Sequence, residues 1–351
     1  MKEFDFRAPP WRLVFGTGAL ARLPQLLREL GFSRPLILST PGRGDQAGAL
    51  ARALGGAATF LQAAPHVPIE VVEAARRAAR EATADCTVSF GGGSTTGLGK
   101  LLRLRDALPH IAIPTTYAGS EMTNLWGITE NRVKRTGRDA SVTPVLVIYD
   151  PELVRKLPLA IAGPSALNAL AQAAANLPGF NDDPIPNLYA REAVEVLGQA
   201  LPRLLRDSTR VETCAELLYG ACLAGAALAT GRTGLHHRLC HVLGGTFNLP
   251  HADTHAVILP YSLSFNRAAA PEAMTLLAAA FGSPDAPLHA YGLMKQACAK
   301  PSLRALGLSE GDLDRAVEAA VATPVSNPAP VTAESVRRIL GEALGGNPPG
   351  K

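Results

Sequence analysis

Short apolar runs alternate with amphipathic stretches along the first part of the chain. Residues 12–15 form a brief apolar run, and 18–30 carry apolar positions at helical spacing. PLILS at 35–39 has no polar face, the mark of a strand covered on both sides, and Thr40-Pro41-Gly42 stops it. Residues 47–54 return to helical spacing, 58–61 read as a strand, and 69–83 as an amphipathic helix. CTVSF at 86–90 is another strand, halted by three glycines, and 110–113 and 145–149 complete the set. Strands and helices in alternation imply a parallel sheet with helices on both faces.

From about residue 153 the strand signals vanish. The segments 190–205, 211–230, 235–243, 271–281, 287–299, 309–322 and 333–344 all read as helices, many rich in Ala and Leu. The shift near Asp150-Pro151 predicts an N-terminal Rossmann-like α/β dinucleotide-binding domain over 1–155. An all-α C-terminal domain over 156–351 follows, carrying the substrate and catalytic groups. A chain of 351 residues is long enough for two cores. The tail GGNPPGK is expected to fray.

Composition narrows the function classes. A hydrophobic content of 47% with 18% charged residues describes an ordinary globular protein. A net charge of +4 is slight for this length, which argues against a nucleic-acid-binding face and leaves room for a small anionic substrate. The N-terminus lacks the features of a signal peptide, and no uninterrupted apolar run predicts a membrane helix. The five cysteines are scattered with no C-x-x-C pair, so the expected setting is a reduced, cytoplasmic one.

Chemistry concentrates at strand ends and at two helical spacings. CTVSF runs into Gly91, Gly92, Gly93, Ser94 and Thr95, followed by helical sequence. Glycines there let a backbone approach a pyrophosphate, and the helix start supplies free N–H groups. A second polar turn, with Thr115, Thr116, Tyr117 and Ser120, follows the strand at 110–113, so the two turns are candidates to clasp one dinucleotide. At the adenosine end the strand finishes Ser39-Thr40-Pro41 with Arg43 close by and no carboxylate at its tip, which accommodates NADPH as well as NADH.

Asn168 and Gln172 lie four apart, as do His237 and His241, and His251 follows ten residues later. Residues four apart share a helix face, so each pair points into one space. Imidazoles suit a divalent transition metal, whereas amides are poor ligands. The spacing outlines a metal site that has kept its geometry, and no metal is expected in it.

These residues together resemble the iron-containing alcohol dehydrogenase superfamily, and within it the maleylacetate reductases. The resemblance covers essentially the whole chain. It is carried by FGTGAL, GGGSTTGLGK, PTTYAGSEMT, KRTGRD, VIYDPEL and the long block GLHHRLCHVLGGTFNLPHADTHAVILPY. It implies a dinucleotide-binding domain and a helical domain, an active site in the cleft between them, and a homodimer. The superfamily's metal ligands fall on Asn168, Gln172, His237 and His251. Maleylacetate reductases also place Asn at the first position and are regarded as working without added metal.

This chain departs from them in reading NALAQAAANLP, with Gln172, Asn176 and Pro178 where His, Glu and Tyr are usual. Pro178 is expected to end or kink that helix, and Trp126 to narrow the cleft. The implied reaction is reduction of the carbon–carbon double bond of maleylacetate by NADH or NADPH. His237 and His241 are the candidates for polarising the ketone and delivering a proton, with His251 in support. His236, one residue off the shared face, is expected to point elsewhere.

Arg238, Lys134 and Arg138 are candidate carboxylate partners, since the guanidinium fork suits a carboxylate, although KRTGRD also reads as a polar turn between strands. Asn168 and Gln172 read either as substrate anchors or as remnants. Two further outcomes stay open: another unsaturated or keto acid as substrate, or a descendant without redox activity.

Overall fold

The computed structural model describes residues 3–130 and 133–350. The chain divides into two compact units, Arg7–Lys156 and a second that joins the described residues before Arg7 to those from Leu157 onward. The first holds strands β1 (Leu13–Phe15), β2 (Pro35–Leu38), β3 (Ala58–Phe60), β4 (Cys86–Gly91), β5 (His110–Pro114), β6 (Leu125–Glu130), β7 (Val133–Arg138) and β8 (Leu146–Tyr149). Its helices are α1 (Leu23–Glu29), α2 (Gly44–Ala53), α3 (Ile69–Glu81) and α4 (Gly93–Asp106).

Six strands form one sheet in the order β1-β8-β5-β4-β2-β3, and every neighbouring pair is parallel. Apolar side chains from each face pack into separate cores, one around Leu23, Ile37, Val88 and Ile148, the other around Leu36, Leu38, Val72 and Leu98. Because β3 and β4 flank β2 on opposite sides, strand order reverses there. In open α/β sheets ligands bind beyond the carboxyl ends of strands at such a point.

The strand pattern missed one feature. β6 and β7 form an antiparallel ribbon outside the sheet. β7 carries most of the KRTGRD segment, and only Lys134 and Gly137 in it are half-buried, so an almost wholly polar strand leaves no apolar signature. Trp126 packs within the α/β unit. Its indole lies over Gly137, where a Cβ would come within 2.6 Å of the ring, and it packs against the α3–α4 side of the core.

Lys100, buried in α4, fastens the loop after β5. Its Nζ donates to the Ser120 carbonyl (2.6 Å), the Thr123 hydroxyl (2.9 Å) and the Leu125 carbonyl (2.9 Å). Burial pulls the ammonium down to about 7, and nearby Glu121 opposes the shift. Glu121 is itself buried and accepts from the Tyr149 hydroxyl at 2.7 Å. Burial raises its carboxyl.

The second unit is helical: α5 (Leu159–Ala174), α6 (Pro184–Arg206), α7 (Val211–Thr230), α8 (Leu235–Phe247), α9 (His251–Asn266), α10 (Pro271–Phe281), α11 (Ala286–Ala297), α12 (Leu303–Leu306), α13 (Leu313–Val321) and α14 (Ala333–Gly345). α9 escaped the periodicity because it is buried without interruption from Thr254 to Leu263 and shows no one-sided apolar stripe. α7 is long and apolar enough to cross a membrane, with a mean hydropathy of 1.3, but 72% of that stretch is buried among the other helices. It is a core helix. The tail is tied down rather than frayed: the Tyr261 and Tyr291 hydroxyls donate to the carbonyls of Asn347 and Gly346, and Ser264 to that of Gly350.

Lys100→Met removes one donor from three acceptors inside the α/β unit. Leaving buried carbonyls unpaired costs about 1–3 kcal/mol, so the variant is expected to unfold at lower urea concentration, as followed by circular dichroism.

Candidate active site

The glycine turn sits at the reversal in strand order. Gly92 caps α4 in an extended conformation. Its carbonyl accepts from the amides of Thr95 and Thr96 and from the Thr95 hydroxyl at 2.8 Å. The amides of Gly93 and Ser94 therefore open the helix with no acceptor of their own inside it. The turn touches the loop after β5: the Thr115 amide donates to the Gly91 carbonyl at 2.9 Å. A Cβ on Gly92 would come within 2.9 Å of the Thr116 side chain, so only glycine allows this approach.

From the β2 side, the Arg43 guanidinium bonds Gln46 (2.8 Å) and leans toward the Thr115 carbonyl (3.5 Å). Thr40 starts the turn after β2 in an extended conformation. The three loops thus line one edge of the sheet.

Within this edge the predicted cofactor residues differ in exposure. Gly93 is exposed, and Thr40, Gly92, Ser94, Thr116 and Ser120 are half-buried. Thr95 and Tyr117 are fully buried, and the Thr95 hydroxyl is spent on the Gly92 carbonyl, so these two shape the loops from within. The hydroxyls of Thr115 and Ser120 have no hydrogen-bond partner among the described residues, which suits donors to a ligand.

In the helical unit, α8 and α9 pack together and gather five of the eight histidines. Ring centroids of His237 and His241 lie 6.4 Å apart, those of His241 and His251 6.4 Å, and those of His251 and His255 4.4 Å. His237 is buried, whereas His241 and His251 are exposed. His236 does not point elsewhere. It is buried in the same group, 3.0 Å from the Ser262 hydroxyl through Nδ1 and 3.0 Å from His255 Nδ1 through Nε2. Burial pushes the His236 imidazole down to about 3, and holds that of His255 well below its usual value. Both are neutral at neutral pH.

His255 went unnoticed in the sequence although the signal was there. His251 and His255 repeat the four-residue spacing, as do His236 and Cys240.

On α5, Asn168 and Gln172 are both buried, and Asn168 Oδ1 has no hydrogen-bond partner among the described residues. The helix ends at Ala174, so Pro178 lies beyond it and kinks nothing. Asn176 has a structural role. Its amide donates to the Gln172 carbonyl (3.1 Å), and its Oδ1 accepts from Asn181 (3.1 Å) and the Arg232 amide (3.0 Å). Gly231 passes so close that a Cβ would fall 1.9 Å from that oxygen.

The candidate carboxylate partners divide between the units. Arg238 is half-buried on α8. Lys134 and Arg138 share one face of β7 by strand alternation, Lys134 half-buried with its amine pulled down by burial, Arg138 exposed.

The family pattern puts a metal at Asn168, Gln172, His237 and His251. Those side chains supply two amides and two imidazoles, with no carboxylate or thiolate to balance a divalent charge, and so do not fit an iron ion. The compact donor group lies beside them instead: ligand atoms of His236, Cys240 and His255 come within 4.8 Å of one another, all buried.

A parallel sheet with a glycine turn at its reversal point, followed by a helical unit, defines a nicotinamide-dependent oxidoreductase. The chain belongs to the iron-containing alcohol dehydrogenase family: residues 10–151 match the model for iron-containing alcohol dehydrogenase and 164–344 that for the C-terminal part of the same family. It is 43% identical to a maleylacetate reductase of Sphingobium indicum over 349 residues, covering 99% of each chain. It is 45% identical to one of Burkholderia cepacia over 348 residues, again covering 99% of each. Among solved structures it resembles the maleylacetate reductase of a Rhizobium species, with a TM-score of 0.92, 44% identity, and coverage of 99% of this chain and 100% of that one.

Gly92→Ala is expected to push Thr116 away from the turn. NADH affinity should fall about tenfold, equivalent to about 1.4 kcal/mol, with the unfolding midpoint little changed. Fluorescence titration with NADH checks it.

Proposed function

We propose that this enzyme reduces the carbon–carbon double bond of maleylacetate to give 3-oxoadipate, with NADH or NADPH as hydride donor and no metal ion. One observation carries the reading. The positions that hold metal in the wider family offer two amides and two imidazoles here, with exposed His241 beside them, in a chain 41–45% identical over nearly full length to enzymes named maleylacetate reductase.

The nicotinamide, when bound, supplies a hydride to the alkene carbon β to the ketone. Negative charge then develops on the ketone oxygen, where hydrogen-bond donors stabilise it, and the adjacent carbon takes a proton. His241 and His251, exposed on the histidine group, are our candidates to deliver these contacts, with buried His237 behind them. Asn168 presents an unpaired amide oxygen as an anchor, with Gln172 one turn along. Arg238, Lys134 and Arg138 are the cations available to two carboxylates. The glycine turn, with Thr40, Ser94, Thr115, Thr116 and Ser120, takes the dinucleotide. We take the enzyme to be a cytoplasmic homodimer.

Gln172, in place of the histidine usual in maleylacetate reductases, favours a second reading in which another unsaturated or keto acid is reduced.

The test follows NADH and NADPH oxidation with maleylacetate against a panel of 2-enoic and 3-oxo acids. Maleylacetate is expected to be turned over fastest, and a chelator to leave the rate unchanged. A higher specificity constant for another acid overturns the substrate, and chelator-sensitive activity overturns the metal-free chemistry. His241→Ala is expected to lower kcat about 100-fold or more while NADH affinity holds. Equal losses in both would mark the histidine as structural.

A further inference from the structure

We propose that His255 is a positioning residue, its Nε2 fixed by the chain Ser262–His236–His255 as a hydrogen-bond acceptor that orients the His251 imidazole toward substrate. The inference rests on the reading that His251 works at the substrate.

The direction of the chain follows from proton counting. The carbonyl of Leu259, 2.9 Å from the Ser262 hydroxyl, is the shorter contact and can only accept; with the single hydroxyl proton assigned there, the Ser262 oxygen faces His236 as an acceptor. His236 therefore carries its proton on Nδ1. A neutral imidazole has one N–H, which leaves His236 Nε2 as a lone pair facing His255 Nδ1 at 3.0 Å. Two lone pairs cannot share that contact, so His255 also carries its proton on Nδ1. Its Nε2 is then bare. The Cys240 thiol, 3.7 Å from His236 Nε2, is a weaker donor to the same lone pair and leaves the order intact.

The bare nitrogen is buried, with His255 only 1% exposed, and meets no hydrogen-bond partner among the described residues. A buried acceptor without a donor costs about 1–3 kcal/mol, and in a native protein such an atom asks for a role. The nearest ring is His251, one helical turn earlier, with centroids 4.4 Å apart and planes 66° apart. A change in that tilt brings an N–H of His251 onto His255 Nε2. The other nitrogen of His251, whose side chain is exposed, then faces outward in a single tautomer. Fixing the tautomer of a working histidine through its second nitrogen is how an imidazole is held ready for proton transfer.

The test is ¹⁵N NMR of histidine-labelled enzyme, with His236→Gln and His255→Gln samples for assignment. Both rings are expected as the Nδ1–H tautomer, and Nε2–H at either overturns the chain. This measurement uses no substrate, so it stands apart from any error in the substrate reading. In turnover, His255→Leu is expected to lower kcat by roughly 10- to 100-fold at unchanged NADH affinity. His255→Gln, whose carbonyl oxygen replaces the acceptor, should recover most of it. Equal loss in the two variants, or none, overturns the positioning role. Cobalt titration of the full-length enzyme closes the alternative: thiolate-to-cobalt absorption abolished by Cys240→Ala would make His236, Cys240 and His255 a metal site and overturn the proposal.

Discussion

Polar groups taken out of water need partners, at a cost of about 1–3 kcal/mol for each one left unpaired, and that constraint organises both units of this enzyme. In the α/β unit Lys100 is driven inside α4, and its three donors meet three acceptors in one loop. The same loop packs on the glycine turn. In the helical unit Asn176 plays the equivalent part, drawing the end of α5, Asn181 and Arg232 onto one amide. The third instance is the bond between His236 and His255, which pins α8 to α9 and sets the protonation of the site.

The third instance bears most directly on chemistry. Burial keeps His236 and His255 neutral, so the histidine group holds lone pairs and N–H donors in a fixed order rather than a cluster of repelling charges. Under the proposed function, directed hydrogen bonds stabilise the developing charge, and such bonds act strongly where water is excluded. The departures in NALAQAAANLP then have different meanings. Asn176 is a satisfied structural amide, Pro178 lies past the helix end, and Gln172 is buried on α5.

How far the residues announced this depended on burial. β2, β4, β5 and α3 were legible because runs covered on both faces, or apolar on one, leave a pattern of the right period. β7 was not, since a ribbon outside the sheet needs no apolar side chains. α9 was missed for the opposite reason: a helix buried all round has no polar face to reveal its period. Among the candidate site residues, His237, His241 and His251 announced themselves by spacing. His236 was set aside because a one-residue offset on a helix points about 100° away. That argument fails when a second helix packs on that side and brings His255 to it.

The sequence by itself determined the two-part architecture, the family, the glycine turn and the loss of carboxylate ligands, because each is a matter of residue type at fixed local spacing. The tertiary structure decided what those residues touch. It turned Thr95 and Tyr117 inward, made Asn176 a tether, laid Trp126 over Gly137, and joined Ser262, His236 and His255 into one directed chain. Such contacts join residues far apart in sequence, and only the packing of one helix or strand against another sets their distances.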